Sequence, residues 1–539
     1  MTLLCVPILV VDPPSALRDA QAAKEGGADL VEFRIDDIFH GDPAEEPAIT
    51  SLVNQAPLPC IVTCRAASEG GHYDGPDDAR ISLYERLGTA FGTGEQPPRY
   101  LDLELATWQR SANIQQKIRL AIDHPEQVRD LQTSLILSSH DFQGRPADLS
   151  RRILAMRSIP AAKVLKIAFL ARSLRDNLEL FDLLSDRDRP TIALGMGEFG
   201  LMSRVLAPKF GGFLTFASLR DNSTTAPGQP TIREMLELYR FRSITPSTAV
   251  YGVVGHPVSH SLSPHVHNAG FEAVRHDGVY LPLPVAPGYE SLKATLLELI
   301  HYAPLNLRGL SVTSPHKENL AALAREQNWQ LDPFSLGVGS ANTLAIEREG
   351  TGARIRVMNT DTPALVGVLA EALGGVSGKS VAIVGAGGVG RAAALGLAAA
   401  GASVTVFNRT RMRADELALA LAPTAHHRVA AAHLADLTRT RCDAYVNCTP
   451  VGMKDGPAEA SPIPVAEISR IAPGAVVMDT IYNPLETPLL AAARAAGLRP
   501  VSGLPMFIAQ AAAQFSVWTG KPAPVALFER IARERLAST

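Results

Sequence analysis

The sequence predicts an α/β protein in two halves, an eight-stranded parallel barrel followed by two further α/β domains. Apolar runs alternate with segments of helical spacing over roughly the first 240 residues, the length expected for a (β/α)8 barrel. A short polar bridge at 241–248 then separates the halves, and a glycine-rich turn at 385–390 joins a later apolar run to an apolar helix. The predicted domains are 1–241, 249–361 completed by C-terminal helices at 504–539, and 362–503.

Charge and cysteine content limit the class of protein. The 539 residues carry a formal net charge of −3 without a strongly basic block, which argues against nucleic acid as the main partner. Five scattered cysteines favour a reducing cytoplasm over a disulfide framework. The apolar segments 3–11 and 381–406 are better explained as a strand and a βαβ unit than as membrane or signal segments. No heptad or long apolar face indicates a partner subunit.

Eight near-continuous apolar runs predict the barrel strands. Their bounds are 5–10, 30–34, 60–65, 100–105, 134–140, 164–168, 191–194 and 212–216. Polar or sulfur-containing side chains lie within or just after these runs: Glu32, Arg34, Arg65, Asp102, Glu104, His140, Lys166 and Met196. Any one of the charged residues could form an ion pair inside the barrel. Their recurrence at equivalent positions favours an active site at the C-terminal mouth.

Lys166 has the clearest chemical implication of these residues. It lies inside an apolar run and would be desolvated there, which would lower its pKa from an ordinary value of about 10.4. The neutral amine could form an imine with a ketone and act as an electron sink. His140, one strand earlier, could move a proton beside that imine. The chemistry alone leaves open an aldolase-type carbon–carbon cleavage and a dehydration next to the carbonyl.

Seven motifs follow one another in the first half: Glu32-Phe33-Arg34, Arg65 with Glu69-Gly70-Gly71, Asp102-Leu103-Glu104, His140-Asp141-Phe142, Lys166, Met196 with Ser203-Arg204, and Thr225-Ala226-Pro227-Gly228-Gln229. In this order they resemble type I 3-dehydroquinate dehydratase. The resemblance implies that Lys166 forms an imine with 3-dehydroquinate, His140 transfers protons and Glu69 orients the His140 ring. It also implies that Arg204 clamps the carboxylate. The other substrate-binding residues it implies are Glu32, Arg34, Arg65, Met196, Phe216, Thr225 and Gln229.

Polar clusters at the start of the second half suggest a site for a polyol. They are Ser261-Leu262-Ser263-Pro264, Val312-Thr313-Ser314-Pro315-His316-Lys317, Ala341-Asn342-Thr343 and Asn359-Thr360-Asp361. Each alone resembles a loop, but together they offer groups for binding hydroxyls and a Lys317–Asp361 pair for proton transfer. Four histidines between 256 and 267 lack the spacing and the acidic or thiolate partners of a zinc site, so no metal is predicted.

A glycine fingerprint follows the predicted strand 380–384 and consists of Gly385, Ala386, Gly387, Gly388, Val389 and Gly390. Its glycines permit a tight turn and the approach of a pyrophosphate to a helix N-terminus, which predicts a Rossmann dinucleotide-binding domain. After the next strand, Asn408-Arg409-Thr410-Arg411 and Arg413 replace the acid typical of NAD enzymes. This favours NADP, because guanidinium groups suit a 2′-phosphate. The same arginines could instead form a solvated loop.

These motifs, with Asn447-Cys448-Thr449-Pro450-Val451-Gly452-Met453, Tyr482-Asn483-Pro484 and the segment 503–510, resemble shikimate dehydrogenase. The resemblance implies that Lys317 and Asp361 are catalytic. The substrate-binding residues it implies are Ser261, Ser263, Thr313, Asn342, Tyr482 and Gln510. The implied NADP-binding residues are Gly385, Ala386, Gly387, Gly388, Val389, Gly390, Asn408, Arg409, Thr410, Arg413, Thr449 and Gly503.

The two resemblances together imply consecutive reactions. The product of the first, 3-dehydroshikimate, is the substrate of the second, which would reduce it to shikimate with NADPH. This order of activities resembles the fused bifunctional enzymes of plants. Quinate remains the alternative substrate of the second half. Its extra hydroxyl would need space near Ser263 and Thr313, and the presence of both side chains favours shikimate.

Overall fold

The chain divides into two units, Met1–Thr248 and Ala249–Thr539, in the computed structural model of the protein. The structure describes residues 1–89, 96–124, 132–220, 228–349, 352–422, 428–454 and 457–537. Thr225, a predicted substrate-binding residue, lies outside these ranges. Within them, no helix is long and apolar enough to cross a membrane.

Eight parallel strands of the first unit form a nearly closed barrel, which confirms the predicted fold. The strands are β1 (Leu3–Leu9), β2 (Leu30–Arg34), β3 (Cys60–Thr63), β4 (Tyr100–Glu104), β5 (Ser134–Asp141), β6 (Ala162–Leu170), β7 (Thr191–Met196) and β8 (Leu214–Phe216). They pair in the order β7-β6-β5-β4-β3-β2-β1-β8. Across the remaining gap, Phe213 N donates to Thr191 O at 2.9 Å. Strand β3 ends before Arg65, which the sequence placed at the end of this strand.

Helices connect the barrel strands: α1 (Pro13–Glu25), α2 (Glu46–Asn54), α3 (Asp77–Thr89), α4 (Leu105–Trp108), α5 (Ala112–Ile122), α6 (Leu149–Arg157), α7 (Asp176–Ser185) and α8 (Leu201–Val205). Local sequence explains where α1 begins. Asp12 caps the helix by accepting a hydrogen bond from Ser15 N at 2.8 Å, and Pro13 is its first residue.

The second unit contains two six-stranded sheets. Its strands are β9 (Ala249–Gly255), β10 (Gly278–Pro284), β11 (Leu307–Val312), β12 (Gln330–Leu331), β13 (Thr343–Glu349), β14 (Gly352–Met358), β15 (Ser380–Val384), β16 (Ser403–Asn408), β17 (Val429–His433), β18 (Ala444–Asn447), β19 (Val476–Asp479) and β20 (Arg499–Val501). The sheet β10-β9-β11-β13-β14-β12 is mixed, because β13 runs antiparallel to both neighbours. The sheet β17-β16-β15-β18-β19-β20 is parallel and has the Rossmann strand order, as predicted.

Ten helices of the second unit lie within the described ranges: α9 (Ser263–Ala273), α10 (Tyr289–His301), α11 (Lys317–Glu326), α12 (Pro333–Val338), α13 (Asp361–Leu373), α14 (Gly388–Ala399), α15 (Arg411–Leu421), α16 (Pro488–Ala495), α17 (Leu504–Thr519) and α18 (Val525–Ala537). The last two return to the mixed sheet. Phe507 and Phe515 of α17 and Phe528 of α18 share one apolar cluster with Tyr251 of β9 and Phe271 of α9.

Candidate active sites

The barrel interior is built in layers. Each strand contributes one residue to an apolar layer formed by Cys5, Leu30, Ile61, Tyr100, Ile136, Val164, Ile192 and Leu214. Side chains two positions apart on a strand point to the same face, so the following layer is Glu32, Thr63, Asp102, Ser138, Lys166, Leu194 and Phe216. The strand period therefore places two acids, two hydroxyls and one amine, together with Leu194 and Phe216, next to the apolar layer.

Lys166 lies in this second layer and is 5% exposed. Its Nζ donates to Asp102 Oδ2 at 2.9 Å and to Glu32 Oε1 at 3.3 Å, and lies 4.6 Å from the centre of the Phe216 ring. The predicted burial is therefore confirmed. The sequence argument did not place these two carboxylates beside Lys166. A lysine attacks a ketone as the neutral amine, and both carboxylates lie close enough to take its proton.

The two carboxylates beside Lys166 differ in their other partners. Asp102 Oδ1 accepts from Arg65 Nη2 at 2.8 Å and from Ser138 Oγ at 2.6 Å. Burial alone would raise the pKa of Asp102, but the Arg65 and Lys166 cations hold it well below its ordinary value. Glu32 accepts a hydrogen bond from the Thr63 hydroxyl at 2.7 Å, in addition to the one from Lys166. Asp102 is thus held ionised by two buried cations.

His140 and Glu69 form a second pair with mostly buried side chains, 9% and 12% exposed. Glu69 Oε2 lies 2.9 Å from His140 N and 3.2 Å from His140 Nδ1. Burial raises the pKa of Glu69 to about 7. Burial, together with the Arg65 and Lys166 cations, holds the pKa of His140 well below its ordinary value. A neutral imidazole that donates from Nδ1 to Glu69 keeps Nε2 available as a proton acceptor.

Arg204, on α8, is 2% exposed. Within the described residues it has no ion-pair partner, and its Nε lacks a hydrogen-bond partner. Burial lowers the pKa of its guanidinium to about 10. An uncompensated buried cation is costly in a folded protein. Arg204 therefore has the properties expected of a group that binds an anionic ligand.

The other predicted barrel residues differ in their surroundings. Met196 ends β7 and is buried, as are Phe216 and Gln229. Arg34 forms a double hydrogen bond with Asp36, at 2.9 and 2.8 Å. Unlike Arg204, Arg34 thus has a carboxylate partner in the protein itself.

In the second unit, Lys317 and Asp361 are the first residues of α11 and α13. Lys317 Nζ donates to Asp361 Oδ2 at 2.7 Å, with 22% and 12% of the two side chains exposed. Asp361 also lies at a helix N-terminus, where a negative charge is favoured. The pair is therefore both partly accessible and held in a defined geometry, as an exchangeable proton requires.

The predicted substrate-binding residues of this unit come from several elements. Ser263 begins α9, and its N donates to Ser261 Oγ at 3.2 Å. Thr313 follows β11 directly. The position of the Thr313 side chain requires glycine at residue 255, because a Cβ there would lie 2.4 Å from Thr313 Cγ2. Asn342, just before β13, is buried.

Two further predicted residues come from the C-terminal part of the chain. Gln510 lies on α17, where its Nε2 donates to Phe507 O at 3.0 Å. The ring of Tyr482 packs against that of Phe507, with centroids 4.7 Å apart.

The glycine fingerprint leaves room for a dinucleotide at the start of α14. Gly385 has φ +112°, and a Cβ on Gly390 would lie 2.0 Å from Gly385 O, so the turn requires glycine at both positions. A Cβ on Gly387 would meet nothing within 4 Å, and that on Gly388 nothing closer than 3.7 Å. The open space faces the N-terminus of α14, which suits a pyrophosphate.

The residues around the fingerprint complete this candidate cofactor site. Asn408 Oδ1 accepts from Ala386 N at 3.3 Å and so ties the end of β16 to the glycine turn. Arg409, Thr410 and Arg413 follow and are exposed. Three other predicted NADP-binding residues lie at the ends of elements: Val389 in the first turn of α14, Thr449 after β18 and Gly503 before α17. Among the described residues, no group of three or more His, Cys, Asp or Glu side chains could hold a metal.

Sequence models of known families match both units. Type I 3-dehydroquinase matches residues 4–246, and the shikimate dehydrogenase substrate binding domain matches 253–344. Shikimate/quinate 5-dehydrogenase matches 368–449, and the shikimate 5′-dehydrogenase C-terminal domain matches 503–533. The chloroplastic bifunctional 3-dehydroquinate dehydratase/shikimate dehydrogenase of Arabidopsis thaliana is 34% identical over 553 residues, which cover 98% of this chain and 84% of that protein. The chain belongs to this bifunctional family.

Membership confirms the prediction of a dehydratase and a dehydrogenase in one chain. Relatives with one activity match the second unit: the shikimate dehydrogenase (NADP(+)) of Moorella thermoacetica is 39% identical over 298 residues, 54% of this chain and 95% of that protein. Among solved structures, the dehydroquinate dehydratase and shikimate dehydrogenase from S. pombe is 23% identical, with a TM-score of 0.43, and covers 99% of this chain and 98% of that chain.

Sequence reasoning missed Arg80, which holds Glu104 of the barrel in place. Arg80 of α3 is fully buried and donates to Glu104 Oε2 at 2.9 Å and to Cys64 O at 2.7 Å. Glu104 in turn accepts from Arg65 at 3.2 Å. The available signal was an arginine among the apolar positions of α3, next to Ile81, Leu83 and Tyr84. A buried arginine at such a position requires an acidic partner.

Proposed function

We propose that the barrel converts 3-dehydroquinate to 3-dehydroshikimate through an imine on Lys166, and that the second unit reduces this product to shikimate with NADPH. The observation that carries the first step is a buried amine in contact with two carboxylates, on the strand next to that of His140. The proposed domain boundaries are 1–241, 249–361 with 504–539, and 362–503.

In the proposed dehydration, Lys166 first gives a proton to Glu32, because Asp102 is held ionised by Arg65 and Ser138. The neutral amine attacks the substrate ketone, and loss of water gives the imine. His140 Nε2 removes the proton next to the imine carbon, and the electron pair is delocalised into the imine to give an enamine. The enamine expels the β-hydroxyl, which takes that proton from His140 and leaves as water. Hydrolysis of the remaining imine releases the product and restores the Lys166 amine. Glu69 stabilises the intervening imidazolium. Arg204 binds the carboxylate, and Arg34, Arg65, Met196, Phe216 and Gln229 line the remainder of the site.

In the proposed reduction, NADPH supplies a hydride to the ketone when it is bound. The glycine fingerprint, Asn408, Arg409, Thr410, Arg413, Thr449 and Gly503 would hold this cofactor. Lys317 donates a proton to the oxygen that becomes the new hydroxyl, while Asp361 orients Lys317 and accepts from a neighbouring substrate hydroxyl. Ser261, Ser263, Thr313, Asn342, Tyr482 and Gln510 bind the rest of the substrate.

Borohydride trapping tests the imine directly. The full chain is incubated with 3-dehydroquinate and sodium borohydride, and the intact mass and its peptides are measured. A reduced adduct on the peptide that contains Lys166, absent without substrate, supports the proposal. Dehydration without an adduct at Lys166 contradicts it, because an imine-forming lysine must be trapped under turnover conditions.

Arg204→Met is expected to raise the KM of the dehydratase for 3-dehydroquinate by about tenfold to a hundredfold, because a charge-assisted double hydrogen bond to the carboxylate is lost. The melting temperature should stay the same or increase, since an uncompensated buried cation is removed. Steady-state kinetics and thermal unfolding of the full chain measure both quantities. A large loss of stability with an unchanged KM would show that Arg204 has a structural role instead.

The raised pKa of Glu69 predicts a pH dependence of the dehydratase. As pH increases through about 7, Glu69 loses its proton and can accept the Nδ1 proton of His140, so kcat/KM should rise. In Glu69→Gln this rise should disappear, and the rate at pH 8 should fall by about tenfold or more. Profiles of kcat/KM from pH 5 to 9 test this. A Glu69→Gln profile with the wild-type midpoint would assign the titration to another group.

Arg409→Ser is expected to raise the KM for NADP by about tenfold and to leave the KM for NAD within twofold of the wild-type value, because the 2′-phosphate is its proposed partner. Arg439→Ser is a matched control at an exposed arginine outside the proposed site. An equal rise for NADP and NAD would contradict the phosphate role and fit a general effect on the loop.

Quinate is the second candidate substrate of the dehydrogenase. The presence of Ser263 and Thr313 in the proposed pocket favours shikimate, which lacks the extra hydroxyl of quinate. Comparing turnover of the two compounds with NADP and NAD decides between them. Small-molecule substrates are the proposed partners, with no role for nucleic acid or membrane. A cytoplasmic location is supported by five cysteines that are free.

A further inference from the structure

A second glutamine of α17 lies one helical turn after Gln510 and outside the proposed substrate site. Gln514 is 1% exposed. Its Nε2 lies 3.3 Å from the main-chain oxygen of Asn342 and 3.0 Å from Thr343 Oγ1. Its Oε1 accepts from Ser311 Oγ at 2.8 Å. Gln514 therefore joins α17 to β11 and to the segment that carries Asn342.

The orientation of the Gln514 amide follows from its partners. A main-chain carbonyl oxygen only accepts hydrogen bonds, so the amide nitrogen must face Asn342 and the amide oxygen must face Ser311. Ser311 gives its one proton to Gln514 and accepts from the Tyr280 hydroxyl at 2.7 Å.

The side-chain amide of Asn342 is also fixed. Its Oδ1 accepts from Thr360 N at 2.8 Å, Thr360 Oγ1 at 3.1 Å and Thr343 Oγ1 at 2.9 Å. A main-chain N–H only donates, so Oδ1 must face Thr360 and is fully used. The Nδ2 end of Asn342 is then the part that can bind a ligand, as a donor.

We propose that Gln514 is a positioning residue for the dehydrogenase reaction, which holds Asn342 in place as a hydrogen-bond donor towards a substrate hydroxyl. This inference rests on the proposed dehydrogenase site. A donor fixed in this way pairs with a substrate hydroxyl that can accept a hydrogen bond at that point. The site then discriminates against analogues that lack this hydroxyl, because the buried amide of Asn342 would remain unpaired.

Gln514→Met in the full chain tests the proposal. It keeps the length of the side chain and removes all three hydrogen bonds. The KM for shikimate should rise about tenfold or more, while kcat falls less than about threefold because Lys317 and Asp361 are unchanged. The KM for NADP and the dehydratase activity should stay within twofold. Ser516→Ala, at an exposed position of the same helix, is the matched control and should behave as wild type.

A double-mutant cycle separates positioning from general structural support. If Gln514 acts through Asn342, Gln514→Met combined with Asn342→Ala should have a KM within about twofold of that of Asn342→Ala alone. If Gln514→Met melts below the assay temperature, Ser311→Ala is tested instead, because it removes the hydrogen bond from Ser311 to Gln514. It should raise the KM for shikimate about threefold or more.

Three results would overturn the proposal: an unchanged KM in folded Gln514→Met, fully additive effects in the cycle, or a parallel rise in the KM for NADP. Failure of the proposed function is a different result. A wild-type chain that does not oxidise shikimate with NADP refutes that function and this inference with it. An active wild type with an unaffected Gln514→Met refutes the positioning role alone.

Discussion

Lys166→Met is expected to lower the dehydratase kcat by on the order of 10⁴-fold or more and to leave the dehydrogenase activity of the same chain unchanged. Methionine fills a similar volume in the barrel but offers no amine for an imine. The remaining groups, His140 and Glu69, can still exchange protons, yet the substrate then lacks its electron sink. Initial rates of both reactions on one preparation measure the effect, with the dehydrogenase as an internal standard for protein concentration.

Lys163→Met is the matched control for this variant, because Lys163 lies on the same strand but is exposed. It should retain both activities. Lys166→Met should also melt at a lower temperature than Lys163→Met, since Glu32 and Asp102 lose the cation between them. Dehydratase activity within tenfold of wild type in folded Lys166→Met would mean that another group performs the reaction.

Strand periodicity explains why much of the dehydratase site could be predicted. A residue two positions after an interior-facing residue on a barrel strand also faces the interior, and Lys166 after Val164 and Glu32 after Leu30 follow that rule. The partner of each charge is set by tertiary structure instead. Periodicity does not reveal that Asp102 lies between Arg65 and Lys166, so the sequence argument treated Lys166 as isolated.

The second unit shows the same contrast between features that the sequence reveals and contacts that only the tertiary structure sets. The fingerprint at 385–390 was predictable because a turn motif is a local feature. Lys317 and Asp361 are 44 residues apart and were paired by their complementary chemistry, not by their spacing. The contact between Gln514 and Thr343 joins positions 171 residues apart, and sequence spacing gives no sign of it. Glutamine in an otherwise apolar helix was the available signal, since a buried amide requires partners.

Lys317→Met is expected to lower the dehydrogenase kcat by about 10²- to 10⁴-fold, the usual contribution of a positioned general acid. The KM for NADP and the dehydratase activity should stay within twofold, because neither proposed site contains Lys317. Lys379→Met is the control, since Lys379 is 40% exposed and forms only a long ion pair of 3.7 Å with Asp443. Steady-state shikimate oxidation and 3-dehydroshikimate reduction should show the same loss.

Asp361→Asn distinguishes proton transfer from a purely electrostatic effect of removing Lys317. The asparagine retains an oxygen that can accept from Lys317, at the 2.7 Å position of the present carboxylate, but carries no charge. If Lys317 is the proton donor and Asp361 orients it, the dehydrogenase kcat of Asp361→Asn should be about tenfold higher than that of Lys317→Met. The double variant should be no slower than Lys317→Met alone. Full additivity of the two losses would contradict a shared role and would mean that each residue acts on the substrate independently.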